Sequence, residues 1–96
     1  MRRKEVMDLL KQHEIELRAQ GVKSLALFGS VARDEAKERS DVDLLVEFDR
    51  PVGMFHFLRV RRHLSKLLGC EIDLVTRPAL RQEMRKDILR EAVDVT

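Results

Sequence analysis

Three short apolar runs that alternate with segments of helical periodicity limit what this 96-residue chain can fold into. The runs lie at residues 25–28, 41–48 and 71–75, and apolar residues at helical spacing stand before, between and after them. A short buried run predicts a strand, whereas spacings of three and four predict a helix with one buried face. The resulting order, αβαβαβα, favours an α/β fold in which helices pack against a small three-stranded mixed sheet.

The helix bounds follow from the apolar spacing and from the glycines and prolines that interrupt it. The predicted helices cover residues 3–20, 31–37 and 54–68, and a last helix begins at Pro78 with Leu80, Met84 and Ile88 facing inward. Gly21 and Gly69 end the first and third of these helices, because glycine is the usual residue just past a helix C-terminus.

Composition indicates one soluble globular domain over residues 1–96. Hydrophobic residues make up 44% of the chain and charged residues 38%, a balance that argues against disorder. No apolar run approaches the roughly 18–20 residues that a membrane helix needs, so no membrane span is expected. The basic N-terminus leads into an amphipathic segment, and Cys70 is the one cysteine, so the cytoplasm is the expected compartment.

The charges are distributed unevenly along the chain. Residues 30–50 carry four basic and seven acidic side chains, whereas residues 54–96 carry nine basic and six acidic ones. This acidic centre fits a site for metal cations and a polyanion at least as well as it fits a nucleic-acid binder. The four aromatic residues are all Phe, and Phe28 and Phe57 are expected in the core, which leaves little to stack on bases. Direct nucleic-acid binding is therefore the weaker interpretation.

Asp41 and Asp43 stand two residues apart at the start of the second predicted strand. Side chains two apart in a strand project from the same face, and their Cα atoms lie about 6.5 Å apart. Two convergent carboxylates repel each other unless cations lie between them, and two divalent ions about 3.5–4 Å apart would suit them. The alternative is that both are solvated residues on an exposed strand face, which is common for a bare Asp-x-Asp.

Gly29 and Ser30 end the first predicted strand, and Arg33 lies one helical turn further on. A glycine there lets the backbone approach a ligand, and the N–H groups of the following helix start can bind phosphate oxygens. Together with the two carboxylates of the next strand, this turn predicts a cradle for Mg²⁺-bound triphosphate. The alternative is an ordinary strand-to-helix turn with a serine cap.

Asp73 lies in the third apolar run, between Ile72 and Leu74. If its strand neighbours that of Asp43, the Asp73 carboxylate can reach a metal from the other side, or accept a proton from the attacking hydroxyl. The alternative is an edge-strand carboxylate that pairs with Arg77 or Arg81.

Other polar residues are weaker candidates. His56 and His63 are too far apart along a helix to share a metal, and Cys70 is expected to be a small buried residue. A group of cations lines the third helix and could meet phosphates, but a solvated charged face is the simpler interpretation: Arg59, Arg61, Arg62 and Lys66.

Three segments together resemble the minimal nucleotidyltransferase (MNT) family of the DNA polymerase β-like nucleotidyltransferase superfamily. They are residues 27–33 (LFGSVAR), 40–46 (SDVDLLV) and 72–75 (IDLV), with ten residues between the Gly-Ser pair and the Asp-x-Asp. The resemblance covers most of the chain, including its element order. One departure is Asp34, which stands where many relatives carry glycine.

The resemblance implies a palm-like fold and an enzyme that transfers a nucleoside monophosphate from ATP or another NTP. It also implies that Asp41, Asp43 and Asp73 are the catalytic, metal-binding triad for two Mg²⁺ ions, with Mn²⁺ as a possible substitute. Gly29 and Ser30 would then hold the triphosphate, together with Arg33. Relatives of this kind often pair with a HEPN-domain toxin and adenylylate it as its antitoxin.

Two functions of different kinds remain open from the sequence. The first is an enzyme, a metal-dependent nucleotidyltransferase that modifies a protein hydroxyl. The second is a non-catalytic antitoxin that masks its partner by contact. The three carboxylates and the Gly-Ser pair favour the enzyme, because masking needs none of them. The small size also predicts that a second copy or another chain completes the site.

Overall fold

A computed structural model describes residues 2–33, 41–79 and 82–95. The elements in chain order are α1 (Arg3–Gln12), α2 (Glu14–Ala19), β1 (Val22–Phe28), α3 (Gly29–Ala32), β2 (Val42–Phe48), α4 (Met54–Leu68), β3 (Ile72–Thr76), a 3-10 turn (Arg77–Ala79), α5 (Gln82–Glu91) and β4 (Val93–Asp94). The predicted α/β class, with helices packed on a mixed sheet, is confirmed.

The four strands lie in the order β3-β2-β1-β4. β1 runs antiparallel to β2, whereas β2 and β3 are parallel, with Asp43 directly opposite Asp73. Parallel neighbours need a crossover connection, and α4 supplies it between β2 and β3. The predicted adjacency of the strands that hold Asp43 and Asp73 is confirmed.

The predicted number of three strands is wrong, because β4 adds a fourth. Val93 and Asp94 pair antiparallel with Leu27 and Ala26, and the Val95 N–H donates to the Leu25 carbonyl at 2.9 Å. Two residues are too few to produce a recognisable alternation of apolar and polar side chains, so β4 exists only through its hydrogen bonds to β1.

The predicted first helix is in fact two helices that meet at His13. The backbone of His13 leaves the helical region, with φ −108° and ψ 18°, and its N–H donates to the Leu10 carbonyl. Leu10 of α1 and Leu17 of α2 are nevertheless both buried in one core, because residues seven apart lie on the same side of a helix.

The second and last helices also differ from their predicted bounds. α3 is a single turn over Gly29–Ala32, and residues 34–40, which hold most of the predicted helix 31–37, lie outside the described residues. Pro78 lies in the 3-10 turn, and α5 begins only at Gln82. Leu80 and the side chain of Met84 are also outside the described residues, whereas Ile88 packs inward as predicted.

The two faces of the sheet have different coverings. Leu25, Leu27 and Leu44 point to one face, where they join the large core beneath the α1–α2 pair and α4. Ala26 and Leu45 point to the other face, because successive strand residues alternate, and there they meet the smaller α5. This second face carries the acidic residues. No helix within the described ranges is long and apolar enough to cross a membrane.

Candidate active site

Asp43 and Asp73 lie side by side on the sheet face that α5 partly covers. They are register partners across β2 and β3, and their carboxyl groups are hydrogen-bonded to each other. Two residues further along each strand, Leu45 and Val75 pack in the small core under α5. The apolar half of this face is therefore covered, whereas the acidic half is open, with Asp73 exposed and Asp43 half-buried.

The pKa of Asp43 is raised from its ordinary 3.8 to about 6. Burial is the largest cause, followed by the charge of Asp73, the hydrogen bond to it and the charge of Asp41, while the Arg33 guanidinium opposes the shift. Two carboxyl groups in contact cannot both ionise at ordinary cost, so without a metal Asp43 keeps its proton up to about pH 6.

Asp41 is exposed and immediately precedes β2, from where its charge acts on Asp43. Among the described residues, no group of three or more His, Cys, Asp or Glu side chains is placed to hold a metal ion. The structure thus brings together a pair, Asp43 and Asp73, and the role of Asp41 as a third ligand stays a prediction.

The carboxylate pair fits a divalent cation. A cation between Asp43 and Asp73 would offset both the cost of burying a charged Asp43 and its repulsion by Asp73, the two leading causes of its raised pKa. Carboxylate oxygens are the ligands that Mg²⁺ and Mn²⁺ prefer, so the donor chemistry agrees with the predicted metal.

Gly29 lies directly against Asp43. The residue before it, Phe28, is the register partner of Asp43 across β1 and β2. Gly29 has φ 74°, which side-chain-bearing residues rarely adopt, and a Cβ at this position would overlap the Asp43 Oδ2 atom. The turn from β1 into α3 therefore places bare backbone against the Asp43 carboxylate.

Ser30 and Arg33 follow this turn on α3. Ser30 is half-buried in the first turn, and Arg33 ends it, close enough for its charge to lower the pKa of Asp43. The roles of Gly29, Ser30 and Arg33 on a triphosphate stay predictions, and Asp34 lies outside the described residues.

Glu91 is a residue of this region that the sequence did not reveal. Its Oε2 accepts a hydrogen bond of 2.9 Å from Arg33 Nη1, and the two side chains are each nearly half exposed. They are 58 positions apart, and no local pattern links them. The contact ties the end of α5 to α3, beside the carboxylate pair.

The residues that the sequence left as weaker candidates make contacts that hold the fold together. A ring nitrogen of His56 contacts the Gln20 carbonyl, and His63 Nδ1 lies 3.2 Å from Gln20 Nε2, so both histidines join α4 to the end of α2. Cys70 packs against the large core, and burial raises the pKa of its thiol. A cavity of about 620 Å³ lies at the far end of β2, against Phe48 and Pro51 rather than at the carboxylates.

The raised pKa of Asp43 predicts how stability depends on pH without metal. Between about pH 4 and 6 the folded protein holds a proton on Asp43 that the unfolded chain has lost, so stability falls as pH rises through this window. Asp43→Asn removes the effect. In EDTA at neutral pH this variant is expected to be more stable than the parent by about 1 kcal/mol, an amount reduced by solvent screening of the half-exposed group.

Urea unfolding of both proteins at about pH 4 and 7.5 measures the difference. The gap should be largest at the higher pH and disappear at the lower one. An equal gap at both values would show that the carboxyl group of Asp43 is not perturbed.

Comparison with known proteins relates this chain to nucleotidyltransferases. Residues 9–95 match the family model described as the nucleotidyltransferase domain. The chain is 41% identical over 92 residues to the protein adenylyltransferase MntA of Thermococcus cleftensis, a match that covers 95% of this chain and 93% of that protein.

Solved structures share the fold. A protein described as a minimal nucleotidyltransferase superposes with a TM-score of 0.83 at 33% identity, over 97% of this chain and 95% of that one. A chain in the complex of a tri-AMPylated HEPN toxin of Shewanella oneidensis with an MNT antitoxin gives a TM-score of 0.67 over 94% of this chain and 71% of that one. Its 17% identity shows the shared fold alone.

The family model spans nearly the whole chain, including β1, β2 and β3 and every described residue of the predicted site. The chain therefore belongs to the nucleotidyltransferase domain family and is an NTP-dependent nucleotidyltransferase.

Proposed function

We propose that this enzyme transfers AMP from ATP to a hydroxyl group of a partner protein, with Mg²⁺ as cofactor, and that the partner is a HEPN-type toxin whose antitoxin it is. The observation that carries the proposal is the Asp43–Asp73 pair beneath the bare backbone of Gly29. The likeness to a protein adenylyltransferase supports the choice of AMP and of a protein acceptor.

In this reaction the acceptor oxygen attacks the α-phosphorus of ATP. The bond between that phosphorus and the bridging oxygen breaks, and pyrophosphate leaves with the electron pair. The acceptor proton passes to a carboxylate oxygen of Asp73, which is the more exposed member of the pair and can be reached from solvent. Asp73 is thus the proposed general base.

Asp43 and Asp73 would hold the Mg²⁺, with Asp41 as the third ligand of a two-ion site. Bound there, the metal would stabilise charge on the attacking and leaving oxygens. The backbone of Gly29, the Ser30 hydroxyl and the Arg33 guanidinium would bind the triphosphate, and the Arg33–Glu91 contact would orient that guanidinium. We also propose the cytoplasm as the compartment of this reaction, because ATP is its substrate.

Transfer of label from α-³²P-ATP tests the proposed reaction. The purified chain is incubated with ATP and Mg²⁺, with and without a HEPN-domain protein from the same organism. Label is expected on that protein only when both the chain and Mg²⁺ are present. If the toxin is neutralised with no label on it, protection comes from masking. Nucleotide transfer would then not be the biological role of this protein.

Metal removal is expected to weaken ATP binding strongly. Without a cation, the acidic residues around Asp43 repel the triphosphate, whereas bound Mg²⁺ reverses the sign of the local charge. Calorimetric titration of ATP in EDTA and then in Mg²⁺ measures the difference, which we expect to be at least about tenfold in Kd, or about 1.4 kcal/mol. Equal affinities would contradict a metal-bridged site.

A further inference from the structure

The outer face of α4 carries three exposed apolar side chains at its N-terminal end. The exposed fractions are 69% for Met54, 86% for Phe55 and 41% for Leu58. Phe55 and Leu58 are three positions apart and therefore lie on the same side of the helix. Large apolar groups clustered in water favour burial against another molecule, whereas single ones need no explanation.

Cations continue this face toward the C-terminal end of α4. A groove of about 280 Å³ between α4 and the start of β3 is lined by Leu58 together with Arg61, Arg62 and Lys66, and Glu71 is the carboxylate on its wall. Within the described ranges, Arg62 and Lys66 have no carboxylate partner. A partner that fills this groove would complement it with acidic side chains.

We call Phe55, Leu58, Arg62 and Lys66 the α4 stripe. Its members recur at spacings of three and four, so they form one continuous line along the helix. From Phe55 to Lys66 the stripe is about 16 Å long, enough to contact roughly three turns of a partner helix.

The neighbouring sheet edge favours a helix over an added strand. β3 is the outermost strand, so its outer edge could in principle pair with another chain. Arg61 Nε, however, donates to the Ile72 carbonyl at 3.1 Å and occupies the edge at the level of the groove. A strand that paired there would have to displace this side chain, whereas a helix lying along α4 would not.

The groove and the carboxylate pair lie on opposite faces of the sheet, and both border its outermost strand, β3. Glu71 and Ile72, which line it, immediately precede Asp73. A protein seated on the stripe would reach the carboxylate pair around the outer edge of β3, where Asp73 is exposed. We infer that the α4 stripe is the docking site for an acidic amphipathic helix of the protein that the enzyme modifies, an inference that rests on the proposed function.

Matched substitutions test the inference. Phe55→Ser and Arg62→Glu alter the stripe, while Ile15→Ser and Lys11→Glu make the same changes at exposed positions of α2 and α1; Ile15 is 85% exposed. Binding to the same HEPN-domain protein is measured by calorimetry, with ATP binding measured on each variant as well. We expect each stripe variant to weaken partner binding at least about tenfold, with the controls within about twofold and ATP binding unchanged.

The outcomes separate docking from catalysis. Weaker binding by the stripe variants upholds the docking site even if the parent transfers no label, a result that would remove only the proposed function. Unchanged binding by both stripe variants overturns the docking site even if the parent transfers label. Two further outcomes overturn the docking site if partner binding stays intact. In the first, Phe55→Ser dissociates a dimer of this chain. In the second, Arg62→Glu abolishes binding of an RNA oligonucleotide.

Discussion

Asp43→Asn is expected to lower the rate of nucleotide transfer by roughly 10²–10⁴-fold while the protein stays folded. The substitution keeps the size of the side chain but removes one charge from the proposed metal site. Its partner across the strands, Asp73, would then hold the cation with one ligand fewer. Removing a half-buried carboxylate from an acidic cluster also relieves repulsion, so no loss of stability is expected.

Label transfer under single-turnover conditions measures this effect, and Asp8→Asn is the matched control because Asp8 is exposed on α1, away from the sheet. The control should retain the parent rate, and both variants should bind the partner as the parent does. The decisive contrary result is an Asp43→Asn protein that neutralises a toxic partner as fully as the parent. Protection would then come from contact.

Gly29→Ala is expected to reduce both activity and stability. The added Cβ would overlap Asp43 Oδ2, and the backbone of the alanine would also have to adopt φ 74°. The left-handed backbone and the overlap together should lower the free energy of unfolding by roughly 2–5 kcal/mol. Displacing the carboxylate by about 1 Å is enough to lower the transfer rate by about 10².

Gly69→Ala separates the two causes. Gly69 has a similar φ, 67°, but a Cβ there meets nothing within 4 Å. This control should lose only about 1–2 kcal/mol of stability and keep nearly all its activity. Thermal unfolding and label transfer on both variants distinguish backbone strain from contact with Asp43. Equal losses of activity in the two variants would show that backbone strain, and not contact with Asp43, makes Gly29 necessary.

Local patterns in the sequence were sufficient to predict most of the helices, the strands β1 to β3 and the cluster of candidate residues near Gly29. Strand and helix periodicity depend on neighbours only a few positions apart, so they can be read without knowing the fold. The common face predicted for Asp41 and Asp43 stays a prediction, because β2 begins at Val42 and strand alternation does not extend to Asp41. Irregular points such as His13 were missed because a break in a helix leaves the apolar spacing almost unchanged.

Contacts between distant segments were decided only by the tertiary structure. The register that sets Asp43 against Asp73, the two-residue strand β4, and the Arg33–Glu91 contact each join segments separated by long stretches of chain. The raised pKa of Asp43 depends on the same packing, because burial and the neighbouring carboxylate are its leading causes. The sequence by itself determined which residue types were available near the turn after β1. Only the folded sheet, through hydrogen-bonded register and burial, determined that Asp43 lies against Asp73 with a raised pKa while Asp73 stays exposed.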